Sequence, residues 1–304
     1  MEIVFLKSVN DIVTDINDLG LVLGYFDGVH IGHSQLISFA KANTKKGSLG
    51  VLTFDRPLKS VEGSLMSLDD KLQALEKLHV DYAFVIVCDD NLKKMSYKTF
   101  VSDVLKRFNP KEIFCGPDFK YGYEAEGDVN YLKTVFPNVY VLGYVKDHFG
   151  NKISSSSIKK SLINGDIEEA NRYLGRQYAI NGVVCHGFKE GTQLGFPTAN
   201  LIVETSYVMP PNGVYFTRTE VDGVIYNSIT NIGVHPTINK VSTPTIETYI
   251  IDGKFDSLYG YHLKIYFYKK TRGEIKFNSL EELKTQIAKD VIEAKEYFDY
   301  RVKN

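Results

Sequence analysis

Short apolar runs alternate with segments of helical periodicity along the first half of the chain. The runs have the length of buried strands, and the segments between them repeat apolar residues every three or four positions, as amphipathic helices do. Strands that are apolar on both faces are typical of a parallel sheet covered by helices. The predicted strands are residues 21–23, 51–54, 83–87, 113–115 and 139–142, and the predicted helices lie within 36–40, 68–78, 100–108 and 129–136.

The pattern changes near residue 176. β-Branched and aromatic residues now concentrate in short runs separated by Gly, Pro, Asn and Asp, which predicts an antiparallel sheet or a small barrel. A capping box at Ser279, followed by apolar residues at helical spacing, predicts a terminal helix. The predicted strands of this half are residues 178–185, 213–221, 224–232, 246–251 and 263–268.

These two patterns predict two domains, which a chain of 304 residues is long enough to form. The first covers residues 1–150 and the second covers residues 176–304. Residues 151–175 carry apolar positions at helical spacing, with Asp166 as a helix cap, and we expect two short linking helices there.

Charge and composition exclude several classes of function. Lysine and arginine number 36 against 37 acidic residues, so the net charge of −1 provides no general attraction for nucleic acid or an anionic membrane surface. The N-terminal residues lack the apolar core of a signal peptide, and no apolar run reaches membrane-spanning length, which favours a cytoplasmic protein. The three cysteines lack metal-binding spacing, and we expect three buried thiols.

The stretch LVLGYFDGVHIGH, residues 21–33, carries the first candidate chemistry. It places a turn after a strand and a helix start near His33, where helix amides and the helix dipole favour phosphate. His30 and His33 can stabilise the charge of a reacting triphosphate, although two histidines beside a glycine can also simply satisfy local backbone groups. The other predicted phosphate-binding residues of this stretch are Gly24, Phe26, Asp27, Gly28 and Gly32.

Two later stretches follow strands of the same predicted sheet. CGPDFKYGYEAEGD, residues 115–128, brings the carboxylate of Asp118 to the same edge of the sheet. NKISSSSIKKSL, residues 151–162, sets four serines, Lys152 and Lys159 about a helix start. Four serines are typical of a flexible linker, but hydroxyls and cations that open a helix suit a triphosphate.

The stretch HGFKEGTQLGFPTANL, residues 186–201, carries the second candidate chemistry. The spacing of Gly187, Gly191 and Gly195 suits a loop that wraps phosphates with backbone amides, although such loops are also plain turns. Pro197 stiffens the chain before a strand. Thr198 and Asn200 then share one strand face and offer hard oxygen ligands for a Mg²⁺ ion that bridges ATP phosphates; a structural hydrogen bond is the alternative.

The three stretches of the first half resemble, in order and spacing, the nucleotidyltransferase half of the bacterial bifunctional riboflavin kinase/FAD synthetase family. The resemblance implies a Rossmann-like domain in which FMN attacks the α-phosphate of ATP and pyrophosphate leaves. It implies that His30 and His33 contact ATP phosphates and that Asp118 orients a substrate. It further implies a pyrophosphate site formed by Lys152, Ser155, Ser156 and Lys159.

The second half resembles the riboflavin kinase domain of the same family. The matching motifs are LGFPTAN at 194–200, NGVY at 212–215, NIG at 231–233 with PT at 236–237, IET at 246–248 and LYG at 258–260. The resemblance implies a six-stranded antiparallel barrel with a terminal helix, and transfer of the γ-phosphoryl group of ATP to the 5′-hydroxyl of riboflavin. It implies that Thr198 and Asn200 bind the metal and that Glu247 accepts the hydroxyl proton.

Departures from the family pattern cluster in the first half. The family commonly has Asn where this chain has Tyr25, Arg at Lys152 and Lys159, Thr at Ser156, and a Pro-His-Pro-like stretch where this chain has residues 55–57. Because Arg binds phosphate with two parallel hydrogen bonds and Lys acts as a point charge, these changes weaken the expected triphosphate site. A chain with an active kinase and a first domain that only binds nucleotide or regulates is therefore the alternative.

Two further classes of protein are alternatives to a bifunctional enzyme. A non-catalytic module that binds nucleic acid through the barrel would need clustered cations with interleaved stacking aromatics, which the strands lack. Another transferase with the His-x-Gly-His motif, acting on phosphopantetheine or nicotinate mononucleotide, would leave the kinase-like half unexplained. The expected partners are riboflavin, FMN and ATP with Mg²⁺, and we expect neither nucleic acid nor membrane.

Overall fold

The computed structural model describes two compact units. One unit comprises residues 1–62 and 67–155, and the other comprises residues 63–66 and 156–304. The described residues are 1–8, 11–12, 16–44, 47–57, 63–185, 195–203, 205–235 and 243–303.

A six-stranded parallel sheet forms the centre of the first unit. Its strands are β1 (Glu2–Leu6), β2 (Gly20–Leu23), β3 (Leu49–Phe54), β4 (Tyr82–Ile86), β5 (Glu112–Cys115) and β6 (Val139–Val141). Strands β2 to β6 lie within two residues of the predicted bounds. Strand β1 was not predicted; it pairs with β4 at the sheet edge and leaves Ile3 and Phe5 exposed.

The strand order is β1-β4-β3-β2-β5-β6, so the sheet changes direction at β2. The chain moves from β2 through β3 to β4 on one side and continues with β5 and β6 on the other. Loops after β2 and β5 therefore leave the carboxyl edge in opposite directions. Ligands of open α/β sheets bind at such a switch point.

Helices cover both faces of this sheet, as predicted. Phe100 and Leu105 pack with Leu21 and Ile113 on one face, while Leu72 packs with the strand residues of the other face. Ser67 caps α2, since its Oγ accepts from the Asp70 amide at 3.1 Å. The helices are α1 (Ile31–Asn43), α2 (Leu68–Lys77), α3 (Asp90–Lys94), α4 (Tyr97–Thr99) and α5 (Val129–Val135), and α4 continues as a π turn (Phe100–Val104) and a 3₁₀ turn (Leu105–Phe108).

The second unit contains a closed antiparallel barrel with strand order β10-β11-β8-β7-β12-β9. Two short helices precede it, α6 (Ser155–Ile163) and α7 (Ile167–Leu174), and Asp166 caps α7 by accepting from the Glu169 amide at 3.0 Å. The six-stranded barrel is therefore confirmed. Its strands are β7 (Tyr178–Cys185), β8 (Thr198–Ile202), β9 (Gly213–Val221), β10 (Val224–His235), β11 (Thr243–Ile250) and β12 (His262–Arg272).

The terminal helix α8 (Leu280–Lys303) packs against one side of the barrel, as predicted. Ser279 caps it, because the Ser279 Oγ accepts from the Glu282 amide at 3.2 Å. Ala294 and Phe298 of α8 are fully buried against a cluster that includes Val214 and Phe216. This packing fixes α8 beside the strands that carry the candidate kinase residues.

The three cysteines are free thiols, but only two of them are buried. Burial raises the pKa of Cys88 and of Cys115 to about 12, so both stay protonated at neutral pH. Cys185 is half-buried, contrary to expectation, because it is the last residue of β7 and falls on the outward position of the strand alternation. In the described ranges, no helix is long and apolar enough to span a bilayer.

Candidate active sites

The loop after β2 leads directly into a helix whose cap is a histidine. Helix α1 begins at Ile31, two residues before the predicted start at His33, because His30 serves as its N-cap. The His30 Nδ1 accepts from the Gly32 amide at 3.1 Å and from the His33 amide at 3.4 Å. Two first-turn amides that we expected to face phosphate are therefore satisfied by the imidazole. A neutral His30 then carries its proton on Nε2 and retains that N–H as a donor.

His30 and His33 lie together as stacked rings. Their centroids are 3.7 Å apart, and the rings are inclined by 19°. Gly32 permits this arrangement, since a Cβ at that position would lie 3.1 Å from the His30 Cε1 and Nδ1 atoms. The buried ring of Phe26 meets His33 edge to face at 5.0 Å. The sequence motif thus produces a compact imidazole pair at the carboxyl edge of the sheet.

The loop between β2 and α1 is strained. Phe26, Gly28 and Val29 have φ angles of 57°, 82° and 38°. Non-glycine residues rarely adopt such angles; each one costs about 1–3 kcal/mol and persists only where its surroundings enforce it. Ser155 is one of the groups that hold the loop, because its Oγ donates to the Asp27 carbonyl at 2.8 Å. Strain that the fold maintains in this way is typical of ligand-binding turns.

Asp118 and Lys152, predicted for different roles, form an ion pair. The Lys152 Nζ lies 2.5 Å from the Asp118 Oδ2, and the two side chains are 38% and 59% exposed. The same ammonium sits 4.0 Å from the centroid of the Tyr144 ring. An exposed pair of this kind contributes little to stability. Its consequence is electrostatic, since Asp118 offsets part of the positive charge that Lys152 would offer to phosphate.

The remaining candidates of the predicted pyrophosphate site lie on α6. Ser156 is exposed, and the Lys159 Nζ donates to the Gly63 carbonyl at 2.7 Å. The roles of these side chains toward pyrophosphate stay predictions.

The candidate kinase residues converge on one outer face of the barrel. In the antiparallel register, Glu247 of β11 lies opposite Asn200 of β8 on one side and opposite Asn231 of β10 on the other. Directly opposite side chains in such a sheet have Cβ atoms about 4.5–5.5 Å apart. Thr198 lies on the same face as Asn200, while Ala199 between them is buried in the barrel. The predicted metal ligands and the predicted proton acceptor are therefore neighbours.

A cavity of about 330 Å³ adjoins this face, within the range of small-molecule sites. Thr198, Asn231 and Glu247 line the cavity. Asn200 lies opposite Glu247 in the sheet but is not one of the lining residues. Most of the rest of its wall is apolar, and Phe196 and Tyr249 meet edge to face at 5.4 Å. The main apolar lining residues are Phe196, Val214, Ile229, Tyr249, Phe277 and Leu283.

A buried ion pair also lines the cavity. Arg272 donates to Asp290 through Nε at 3.1 and 3.2 Å and through a terminal nitrogen at 2.7 Å. The Asp290 side chain is 3% exposed and accepts a further bond from Gln286 at 2.8 Å. This pair joins β12 to α8, and our sequence reasoning missed it. Helical spacing was the signal that could have indicated the burial of Asp290, because Leu283, Ile287 and Asp290 share one face of α8.

Buried hydroxyl groups fix the strand that carries Glu247. The Thr248 side chain points into the barrel and bonds Thr230 at 2.9 Å and Thr219 at 3.3 Å. Thr217 and Ser228 continue this network, and all five side chains are fully buried. Satisfied buried networks specify one arrangement of their strands. The register that sets Glu247 beside Asn200 and Asn231 is thereby fixed from inside.

The donor set on β8 fits magnesium. The Thr198 hydroxyl and the Asn200 amide oxygen are hard ligands, and Mg²⁺ is usually held by few protein groups together with waters and substrate phosphates. Across the part of the chain that the structure describes, no group of three or more His, Cys, Asp or Glu side chains could hold a metal ion.

The predicted glycine loop is only partly described. Gly187 and Gly191 lie outside the described residues. Gly195 has a φ of 85°, which favours glycine, and Pro197 is exposed just before β8. Their phosphate-binding roles stay predictions.

The two folds and their sites define a two-domain, nucleotide-dependent transferase. The riboflavin kinase family matches residues 174–298, and the FAD synthetase family matches residues 14–157. The chain belongs to the bifunctional riboflavin kinase/FMN adenylyltransferase family, which confirms the resemblance.

Relatives of that name are similar along nearly the whole chain. The Bacillus subtilis protein is 38% identical over 291 residues, covering 91% of this chain and 92% of its own. The Listeria monocytogenes protein is 35% identical over 94% of both chains. A solved Streptococcus pneumoniae structure, titled macrolide-efflux protein, is 27% identical with a TM-score of 0.86 and covers 95% of this chain and 97% of its own. The similarity to each of these proteins therefore extends over both halves of the chain.

Proposed function

We propose that this chain converts riboflavin to FMN in its second unit and FMN to FAD in its first unit, with ATP as the donor in both steps. The observation that carries the proposal is the position of Glu247, opposite Asn200 and Asn231 at a cavity lined by apolar side chains. The stacked His30 and His33 rings at the sheet edge support the second activity.

In the kinase reaction, the riboflavin 5′-oxygen attacks the γ-phosphorus of ATP and ADP leaves. Glu247 accepts the hydroxyl proton, because the loose transition state needs alignment and modest deprotonation. Thr198 and Asn200 would hold Mg²⁺, which supplies charge neutralisation at the ATP phosphates when bound. The apolar wall of the cavity takes the flavin ring and excludes water from it.

In the adenylyl transfer, an oxygen of the FMN phosphate attacks the α-phosphorus of ATP, a new P–O–P bond forms and pyrophosphate leaves. No proton must be removed from an FMN phosphate that is already ionised. His30 and His33 donate to phosphate oxygens and stabilise the charge that develops. Asp118 orients a substrate, while Lys152, Ser155, Ser156 and Lys159 bind the departing pyrophosphate.

An active kinase with an impaired first unit is the second candidate, and the Asp118–Lys152 pair favours it. A lysine already paired with a carboxylate offers less charge to pyrophosphate than an unopposed arginine would. We also propose a cytoplasmic location, where ATP is made and cysteines remain reduced.

One experiment separates these possibilities. The protein is incubated with riboflavin, ATP and Mg²⁺, and the flavins are separated by chromatography at several times. FMN followed by FAD supports the proposal, and FMN alone supports the impaired first unit. Absence of both products would overturn the kinase assignment, and a parallel incubation that starts from FMN tests the adenylyl transfer. Omission of Mg²⁺ in a parallel sample tests the metal requirement.

A further inference from the structure

A buried lysine lies behind the strained loop of the first unit, and the mechanism above leaves it unused. Lys71, in the first turn of α2, is 2% exposed. Lysine is almost never buried to this extent without partners, because the ammonium loses its hydration. Its Nζ donates to the Phe54 carbonyl at 3.2 Å and to the Thr53 Oγ1 at 3.4 Å. Both acceptors belong to the carboxyl end of β3.

The same ammonium faces Tyr25, the second residue after β2. Its Nζ lies 3.9 Å from the centroid of the Tyr25 ring, within the distance of a cation–π interaction. Thr53 adds a second link, because its Oγ1 donates to the Tyr25 carbonyl at 2.9 Å. The ring and the carbonyl of Tyr25 are therefore both held from the end of β3, one by Lys71 and the other by Thr53.

Tyr25 is the entry to the strained turn. Phe26, Gly28 and Val29 follow it with positive φ angles, and His30 then caps α1. A strained turn relaxes unless its ends are fixed. Ser155 holds the middle of the turn through the Asp27 carbonyl, and His30 holds its end. Lys71 and Thr53 hold its beginning.

We infer that Lys71 is a positioning residue for adenylyl transfer: it fixes Tyr25 so that the turn presents His30 and His33 to the ATP phosphates. The inference rests on the proposed assignment of this turn to ATP. Tyr25 stands where the family commonly has Asn, and its aromatic ring gives the buried Lys71 ammonium a face to bind.

The surroundings of Lys71 make this contact sensitive to pH. Burial lowers the pKa of Lys71 to about 8, and Asp27, Asp55 and Cys88 face the ammonium from the loops after β2, β3 and β4. The two carboxylates favour the charged form, whereas Cys88 remains a neutral thiol because burial raises its pKa to about 12. The cation that binds the Tyr25 ring therefore disappears as the pH rises above about 8.

The test uses the whole bifunctional chain: FMN formation reports on the kinase unit, and urea unfolding shows whether the first unit of each variant is folded. Lys71→Met removes the charge at similar length, and Tyr25→Leu removes the ring while it keeps the lysine. Lys77→Met, an exposed position on the same helix, is the matched control. His30→Ala tests the proposed ATP assignment itself. We measure kcat and KM for ATP in FAD formation, the rate of FMN formation, and the pH profile from 7 to 9.5.

We expect Lys71→Met to lower kcat/KM for FAD formation by about tenfold or more, since small displacements of a reacting site have effects of this size. Tyr25→Leu should cause a loss in the same direction, while FMN formation and the Lys77→Met variant stay unchanged. In the unaltered protein FAD formation should fall above about pH 8, and Lys71→Arg, which stays charged, should move that fall to higher pH.

The opposite results identify which idea fails. Normal FAD formation by His30→Ala would overturn the ATP assignment. Loss in His30→Ala together with normal FAD formation in both Lys71→Met and Tyr25→Leu would overturn the positioning role alone. If Lys71→Met abolishes FMN formation as well, Tyr25→Leu decides: normal FAD formation in that variant overturns the inference, and a selective loss supports it.

Discussion

Glu247 on β11 lies directly opposite Asn200 on β8, its neighbouring strand in the closed barrel. The proposed proton acceptor and a proposed metal ligand are therefore neighbours across one pair of strands, although 47 positions separate them in the sequence. Thr248, the next residue after Glu247, is locked into the buried hydroxyl network. The outer face of the barrel carries the proposed catalytic residues, and the buried inner face fixes the register of the strands.

Glu247→Gln should reduce FMN formation by about a hundredfold or more while conversion of supplied FMN to FAD continues. The amide keeps the size of the side chain but accepts a proton poorly, and general bases contribute about 10²–10⁴-fold. Flavin chromatography with riboflavin or FMN as the starting substrate measures the two steps separately. Glu296→Gln, the same change at an exposed position on α8, is the control. Loss of both steps in a folded Glu247→Gln protein would contradict separate sites.

Periodicity predicted most of the fold because most strands and helices bury a simple apolar face. Strand β1 was missed although residues 3–6 form an apolar run, because its place at the sheet edge depends on pairing with β4, which is distant in the chain. The start of α1 was predicted near His33, and histidine is not a usual N-cap residue. The imidazole of His30 caps the helix only through a side-chain geometry that no spacing rule contains.

The site was predictable where a motif places residues on one strand, as with Thr198 and Asn200. It was not predictable where long-range packing decides. Lys71 falls on the apolar side of α2, three residues after Leu68 and four before Leu75, but the loops after β2 and β3 that enclose its ammonium come from elsewhere in the chain. Asp290 is likewise buried only because Arg272 meets it from β12. Helical spacing places both residues on the buried faces of their helices, but their partners are distant in the chain, so the contacts themselves could not be predicted.

Thr198→Val should raise the Mg²⁺ concentration needed for half-maximal FMN formation by about tenfold, because it removes one of few protein oxygen ligands. The methyl group preserves the shape of the side chain on β8. Titration of FMN formation with MgCl₂ at saturating riboflavin measures the shift. Thr285→Val, on the exposed surface of α8, serves as the control. An unchanged Mg²⁺ dependence in Thr198→Val would remove the hydroxyl from the proposed metal site.

Asp290→Ala should destabilise the second unit by about 3 kcal/mol, since it leaves the largely buried Arg272 without its carboxylate. Weaker riboflavin binding should accompany the loss, because both residues line the cavity. Urea unfolding and flavin fluorescence titration measure the two effects. Glu293→Ala breaks an exposed ion pair with Lys289 on the same helix and should cost less than about 1 kcal/mol. Equal effects of both changes would show that the buried pair has no special role.

The free energy of unfolding of the unaltered protein should rise with pH in the alkaline range, relative to that of Lys71→Met. Burial lowers the pKa of Lys71 to about 8 in the folded state, from 10.5 for an exposed lysine. Between these values the unfolded chain binds more protons than the folded chain, so the free energy of unfolding rises with pH in that window. The expected gain between pH 7.5 and 9.5 is about 2 kcal/mol.

Urea unfolding of both proteins at several pH values measures this difference. Subtraction of the Lys71→Met values removes the contribution of every other titrating group. Lys77→Met is the matched control, since an exposed lysine should leave the pH dependence of the unaltered protein in place. A constant difference between the unaltered protein and Lys71→Met would mean that Lys71 titrates alike in both states.

Replacing Lys152 and Lys159 together by arginine should increase FAD formation by about threefold or more and leave FMN formation unchanged. An arginine fork can bind a phosphate through two parallel hydrogen bonds, whereas the Lys152 ammonium is a point charge already paired with Asp118. The measurement is kcat/KM for ATP with FMN as the acceptor. Lys146→Arg, an exposed residue that bridges Lys152 in the backbone pairing, is the control. If the double variant makes FAD at the original rate, the lysines already suffice, and the physical argument for an impaired first unit fails.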